Sequence, residues 1–412
     1  MTSSYDAIIV GGGFAGGAMA TVLARGGKSV LVLEKSDMYR DLVRGEWIAP
    51  WGVVESKRMG LYETLAAADG HHVPFHVEYG EGIDVAEAEA ARLPLGFLPG
   101  VPGPLCIGHP AACNALNMSA VAAGAAVLRD VDVHAVTAGA RPSVTYRHNG
   151  VEHTATARLI IGADGRNSWS RGHLGFTLHR DKPHHWFAGM LVEGANGWPD
   201  ELETMGTEGD VQFFVFPQSQ GKLRLYLSTP LDQKPGNNGD DRARRFLDAF
   251  RLKSVPFAEA ITSATIAGPC SAIPNEDTWV DAPAGEGVVL IGDAAGYNDP
   301  ITGQGLSIAL RDVRIVSELL LGADTWDATR FAPYVEERRE RMRRLRFTAA
   351  MDSMIHAEFG PEALKRRLAI RAKRASDPSF LMCQMATMVG PEMLPPEAFS
   401  ESVWQQAASM GA

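Results

Sequence analysis

The chain is poor in cysteine and in positive charge, and it lacks any long apolar run. Four cysteines occur in 412 residues, at Cys106, Cys113, Cys270 and Cys383. They form no Cys-x-x-Cys pair and no zinc spacing, which argues against a disulfide framework and suits a reducing compartment. Lysine and arginine total 39 against 49 acids, a formal net charge of −10, which excludes general nucleic-acid binding. No segment approaches the roughly 18 uninterrupted apolar residues of a membrane-spanning helix. Residues 1–7 carry no basic residue, so no signal peptide is expected and the location reads as cytoplasmic. At 45% hydrophobic and 21% charged, the composition excludes a disordered or collagen-like chain. There is no internal repeat.

Glycine, by contrast, is placed with purpose near the start. Tyr5–Val10 is a short apolar run suited to a strand buried on both faces. Gly11-Gly12-Gly13-Phe14-Ala15-Gly16 follows, then helix formers to Arg25, a Gly26-Gly27 stop, and a second apolar strand ending at Glu34-Lys35. In a dinucleotide-binding turn Gly11 permits the tight bend, Gly13 admits a pyrophosphate, and Gly16 lets helix and strand pack closely. The helix start, with Phe14 and Ala15, offers free N–H groups to the phosphates. Glu34 suits ribose hydroxyls and would repel a 2′-phosphate.

Two further segments have the same strand-then-loop form. Residues 158–171 read RLIIGADGRNSWSR, with Asp164 at the strand's end. Residues 288–312 read VVLIGDAAGYNDPITGQGLSIALRD, with Asp293 at a strand's end and Gly303-Gln304-Gly305-Leu306 opening a helix. Asp293 suits a polyol. The Gly303–Leu306 amides suit an electron-rich ring edge.

With the first motif, these segments resemble the class A flavoprotein monooxygenases, the group of para-hydroxybenzoate hydroxylase. The resemblance covers about residues 5–180 and 270–330. It implies non-covalent FAD on a glutathione-reductase-like α/β fold with a Rossmann-type domain. Glu34 would hold the adenosine ribose, Asp293 the ribitol, and Gly303–Leu306 the pyrimidine edge. Asp164 would support FAD and the visiting nicotinamide. Arg44 is expected at the pyrophosphate, or else as a surface arginine paired with Glu46. Two positions depart from the family. His109 stands where an arginine usually opens a helix, and an imidazole holds phosphate or ribitol less strongly. Gly296 replaces a histidine common in relatives. Asp299-Pro300 would lie near the flavin as the candidate catalytic pair, with Asp299 either a functional acid or a loop cap.

The expected domains are 1–75, 100–180 and 270–330 for FAD, and 76–99 and 181–269 for substrate. A helical region follows over 331–412. Within 182–230, the segments 186–194, 210–218 and 222–229 read as strands, with a turn at Gln220-Gly221. One face of that sheet should pack on helices and the other roof the flavin, with Phe214, Phe216, Tyr226 and His185 the candidate substrate residues. Residues 241–264 read as helix. Residues 93–104 read as a proline-rich covering loop. Arg338–Arg346, with Glu336, Glu337 and Glu340 interspersed, reads as a solvated, ion-paired helix. Met382, Met385, Met388 and Met393 read as core or as the wall of an apolar channel. His71, His72 and His76 lack converging ligands, and no metal site is expected.

The implied activity is an FAD-dependent monooxygenation, either hydroxylation or epoxidation through a flavin C4a-hydroperoxide. NADPH or NADH is a transient reductant, since no second dinucleotide fold occurs, and molecular oxygen is a substrate. The apolar lining suggests an aromatic or polyketide-like small molecule. The alternatives are a non-oxygenating reductase or oxidase of the same fold, a flavin-dependent halogenase, whose signature segment is absent, and a flavin-binding protein without turnover.

Overall fold

Ser3–Val10 lies inside a sheet between Val151–Gly162 and Val30–Leu33, parallel to both, with Ile9 opposite Ile161 on one side and Val32 on the other. This computed structural model describes residues 3–42, 45–234 and 241–411. Val288–Leu290 extends the parallel sheet beyond 151–162, and Ala126–Leu128 extends it beyond 30–33. Ile9, Val32 and Ile161 pack into one core with the helices Phe14–Arg25, His109–Ala122 and Gly305–Leu321. Ile8, Leu31 and Ile160 pack into another, against the antiparallel strands Asp132–Thr137 and Ser143–His148. Both faces are therefore covered. This is why these strands read as unbroken apolar runs rather than as alternating ones.

The second large sheet is mostly antiparallel. It runs through Thr265–Ile266, His185–Glu193, Leu223–Pro230, Val211–Pro217, Leu202–Glu208, Phe75–Glu78 and Leu93–Pro94. All three expected strands are present. Ser219, Gln220 and Gly221 form the connecting turn at φ of 66°, 54° and 69°. Leu202–Glu208 is an additional strand. Ser271–Asn275 pairs with His185–Gly189, so it belongs to this sheet rather than to the FAD-binding segments. On one face Phe213 and Val215 pack with Trp198, Phe246 and Phe250. On the other, Phe214 joins Phe187, Tyr226 and Ile301. The stretch expected to be helical over 241–264 is two short helices, Arg242–Asp248 and Ala258–Thr262. Pro256, lying between them, cannot continue a helix.

The arginine-rich segment lies in the long helix Ala332–His356. Its ion pairing is partly as expected, with Glu340 bound to Arg343 at 2.8 Å and to Arg344 at 2.7 Å. Its solvation is not: Arg338 and Arg341 are 2% and 3% exposed. Both bind the buried Asp312, Arg338 through Nε at 3.1 Å and Arg341 through Nη2 at 2.6 Å. Arg338 also donates to the carbonyls of Gly292, Ala295 and Gly296 at 3.2, 3.0 and 2.9 Å. Asp312 accepts from Gly292 N at 2.8 Å. Burial alone would raise the Asp312 carboxyl. The two guanidiniums outweigh it and hold the group below the usual carboxylate range.

Removing one partner of such a cluster strands the other charge. Arg338→Leu is expected to lower the unfolding free energy by about 3–5 kcal/mol, read by urea denaturation. Arg343→Leu, at a half-exposed pair, should change it by less than about 1 kcal/mol. Equal losses would refute the difference drawn between these arginines.

Candidate functional site

A cleft of about 1610 Å³ separates the two sheets. Its floor is the glycine-rich turn. Gly11 adopts φ +100°, and a Cβ there would lie 2.5 Å from Ala163 O. A Cβ on Gly16 would lie 1.9 Å from Gly11 O, so helix Phe14–Arg25 sits directly on the turn. Gly13 differs: nothing lies within 4 Å of its Cβ position, and it lines the cleft together with Phe14 and Ala15. The open side of Gly13 at a helix start is the space a pyrophosphate needs.

Glu34 lies at the cleft edge beside the exposed Lys35. Its Oε2 accepts from Gly12 N at 2.7 Å and its Oε1 from Ser36 N at 2.8 Å. Each oxygen keeps a lone pair for a ribose hydroxyl. Asp164 lines the cleft, and its carboxylate also accepts from Ser170 N and Ser170 Oγ, each at 2.8 Å. Asp293 lines the same wall and pairs with Arg166 Nε at 3.5 Å. Arg171 ties the two loops, donating to Ala294 O at 3.1 Å and Arg166 O at 3.0 Å. Gly296 holds φ +103° with its Cβ position 2.5 Å from Trp279 Cα, so a histidine there would clash with backbone. His109 opens its helix at the cleft, its Nδ1 3.2 Å from Gly45 O. Arg44 lies outside the described residues.

Gly303, Gly305 and Leu306 line the cleft where helix Gly305–Leu321 begins. Gln304 belongs to the same turn, but its side chain faces the protein. It accepts from Trp51 Nε1 at 2.8 Å and donates to Thr302 O at 2.6 Å. Pro300 lines the cleft, whereas Asp299 does not. Asp299 is fully buried behind the turn, where its Oδ1 accepts from Ile301 N at 2.9 Å and Asn275 Nδ2 at 2.7 Å. Of the two roles open to it, the structure shows the loop cap. Burial first, and then the Asp277 carboxylate, push its acid well above the ordinary value.

Phe214, Phe216 and Tyr226 roof the cleft with Phe187, which the sequence reading passed over. The Phe187 and Tyr226 rings stack at 4.8 Å, and Phe187 meets Phe214 edge-on at 5.8 Å. His185 is not part of this wall. It is fully buried, hydrogen-bonded to Asn275 at 2.8 Å, and held neutral by burial, which pushes it down to about 3. His72 is likewise committed, to Tyr62 Oη at 3.1 Å and Gly103 O at 2.9 Å, and His71 to Asp200 O at 2.7 Å.

Glu46 lines the cleft beneath the roof. Among the described residues Glu46 pairs with Arg224, in an ion pair with Nε and a hydrogen bond from Nη2 at 2.8 Å. Tyr226 Oη donates to Glu46 Oε2 at 3.4 Å. Burial pushes the Glu46 carboxyl up to about 7, against the opposing pull of Arg224. No motif marks this pair, because its members are 178 residues apart.

The FAD binding domain family matches residues 4–348. The chain belongs to this family. It is an FAD-dependent oxidoreductase of the monooxygenase group. The menaquinone reductase of Mycolicibacterium smegmatis is 26% identical over 79% of this chain and 79% of its own. The ubiquinone hydroxylase of Rhodospirillum rubrum is 26% identical over 94% of this chain and 91% of its own. A squalene epoxidase of Arabidopsis thaliana is 27% identical over 77% of this chain, which spans 54% of that relative. The crystal structure of p-nitrophenol 4-monooxygenase from Pseudomonas putida superimposes with a TM-score of 0.76 at 18% identity, each chain covered fully.

Two outcomes follow. Gly13→Ala is expected to change stability by less than about 1 kcal/mol, since its Cβ meets nothing, yet to lose bound flavin. Gly16→Ala should destabilise the fold outright. Flavin absorbance against a melting curve separates the two, and full flavin in Gly13→Ala would remove that turn from the site. In Arg224→Met, Glu46 loses its cation and is driven further above its unfolded value near 4.5. The folded state then binds the proton more tightly than the unfolded one, so stability falls as pH rises from about 5 through 7. The loss relative to the parent should reach about 3–5 kcal/mol at pH 8 and shrink at pH 5, measured by urea unfolding at both.

Proposed function

We propose that the protein is an NAD(P)H-dependent monooxygenase of an electron-rich, apolar small molecule bearing an aromatic ring or an alkene. The observation that carries this reading is the arrangement of the cleft. An aromatic roof of Phe187, Phe214, Phe216 and Tyr226 faces the Pro300–Leu306 turn, and the glycine-rich turn lies in the same space. The volume exceeds the roughly 300–1,000 Å³ of a single small-ligand site and suits cofactor and substrate together.

FAD would be held by the Gly11–Gly16 turn, Glu34, Asp164, Asp293 and the Gly303–Leu306 backbone. When bound, it accepts hydride from NAD(P)H and activates oxygen. The chain's own part is positional. The aromatic roof excludes water and aligns the substrate's reacting carbons. Backbone N–H groups at the start of helix Gly305–Leu321 supply a positive field at the turn. Tyr226 and Glu46 are the roof-side groups able to hold or pass a proton, in place of Asp299 and His185. Beyond the roof the cleft continues along Leu93, Leu95, Phe97, Leu368, Met385 and Met388. Two of the clustered methionines thus line the channel, which favours an elongated apolar substrate. A cytoplasmic location belongs to the same reading, supported by four free thiols.

Likeness to a menaquinone reductase supports a second reading, reduction without oxygen insertion. The halogenase alternative rests on likeness of fold alone. NADPH oxidation with apolar aromatic and olefinic candidates under labelled O₂ separates the first two. Product carrying one labelled oxygen is the expected result. Unlabelled, reduced product would establish the reductase.

A further inference from the structure

Behind the cleft-lining turn, two strands and a loop bring together polar side chains that do not line the cleft. His184 and His185 open the strand His185–Glu193. Asn275 ends the strand Ser271–Asn275 and sits opposite His185 in the ladder. Asp299 caps the turn Pro300–Thr302. Donor atoms of His184, His185 and Asp299 all lie within 4.8 Å of one another. The His184 Nδ1 to Asp299 Oδ2 separation is 3.9 Å.

The internal hydrogen bonds do not satisfy this cluster. Asn275 Nδ2 bonds His185 Nε2 at 2.8 Å and Asp299 Oδ1 at 2.7 Å. His185 Nδ1, Asn275 Oδ1 and Asp299 Oδ2 are left buried with no hydrogen-bond partner, on residues that are each 0% exposed. An orphaned buried polar atom ordinarily costs about 1–3 kcal/mol, and here several occur in one hydrogen-bonded group. The orphans share a character. An amide oxygen and a carboxylate oxygen carry free lone pairs, and neutral His185 supplies one through whichever ring nitrogen is unprotonated. The neighbouring Asp277 is also buried, its Oδ1 held by Asp299 N at 2.9 Å and Asn298 Nδ2 at 2.7 Å, which places a second carboxyl in the region.

We propose that His184, His185 and Asp299, with Asn275 Oδ1 as a further donor, form a binding site for one divalent transition-metal ion of the Zn²⁺ type. Two imidazoles with oxygen donors select Zn²⁺ or its close relatives over Mg²⁺ and Ca²⁺, which prefer all-oxygen sets. A tetrahedral site with bonds near 2.1 Å has ligand edges of roughly 3.4 Å, so closure draws the three donors in from within 4.8 Å and turns the Asn275 amide to present its oxygen. His184, its side chain 36% exposed, supplies the entry path. Such an ion pins the ends of two strands to the turn that carries Pro300 and Gly303 into the cleft. Its role is to position that turn.

The full chain, freed of metal by chelator dialysis, is titrated with Co²⁺ alone and then with Zn²⁺. The expected result is one Co²⁺ per chain, with a ligand-field band to the red of the flavin absorption that Zn²⁺ abolishes. The melting temperature should rise with metal. His184→Ala, at a partly exposed position, should retain the fold and the flavin spectrum and weaken Co²⁺ binding about tenfold or more. Asp299→Asn should weaken it too. His179→Ala is the control, since His179 and Asp281 form an exposed pair at 3.0 Å elsewhere. Absence of stoichiometric Co²⁺, unchanged affinity in His184→Ala, or loss of binding in His179→Ala overturns the proposal. Asp299 would then sit behind the turn as a protonated acid.

Discussion

The buried Asp312 carboxylate, held between Arg338 and Arg341, is the contact on which the rest of the site depends. It joins three parts of the chain: the helix Gly305–Leu321, the long helix Ala332–His356, and the loop that begins at Gly292. That loop bends sharply and turns several carbonyls toward the long helix. Arg338 satisfies three of them at once. Its planar fork suits this in a way an ammonium would not. Asp293, on the same loop, is thereby fixed at the cleft wall. A long C-terminal helix with no residue in the glycine motifs thus helps to fix the cleft wall.

The parallel sheet presents the turns at its strand ends, where ligands of open α/β sheets bind. The second sheet turns one face to its own helices and the other to the cleft. Trp47, on the short strand Trp47–Ile48 outside both, holds the second sheet: its Nε1 donates to Glu203 Oε2 at 2.8 Å, and its ring lies 6.3 Å from Phe216. The Glu46–Arg224 pair makes a second polar bridge close by. Buried charges of this kind cost desolvation and contribute little net stability, so fixing the roof over the turn is the better account of their presence.

The chemistry divides along the same line. The glycine turn, Glu34, Asp164 and Asp293 form a cradle whose open face is Gly13. The aromatic roof is apolar, and the cleft beyond it carries apolar side chains together with charged ones such as Glu87, Arg371 and Arg374. The titratable groups nearest the roof are Tyr226 and Glu46, while Asp299 and His185 lie one layer back. Asp299 thereby serves the shape of the turn, and its carboxylate is available to the cluster formed with His184, His185 and Asn275.

What the sequence by itself determined is local and periodic. Apolar runs ending in glycines and acids specify strands whose tips carry a dinucleotide turn. The requirement for glycine at 16 follows from its contact with Gly11 inside that one unit, whereas the space denied to a Cβ at Gly11 is taken by Ala163 from a distant strand. The alternation of Phe213 and Val215 against Phe214 and Phe216 already distinguished the two faces of the second sheet, with Phe214 and Phe216 read as the face toward the cleft, where the structure has them. Tertiary structure alone decided the rest. Arg338 and Arg341 look like any charged helix face until Asp312 is brought beneath them. Glu46 meets Arg224 across 178 residues. Asp299 appears flavin-facing from its place beside Pro300, but the cap it makes turns its carboxylate inward. In each case the deciding partner comes from a distant segment, and a side chain's environment is set by which segments pack against it, a property that no local spacing encodes.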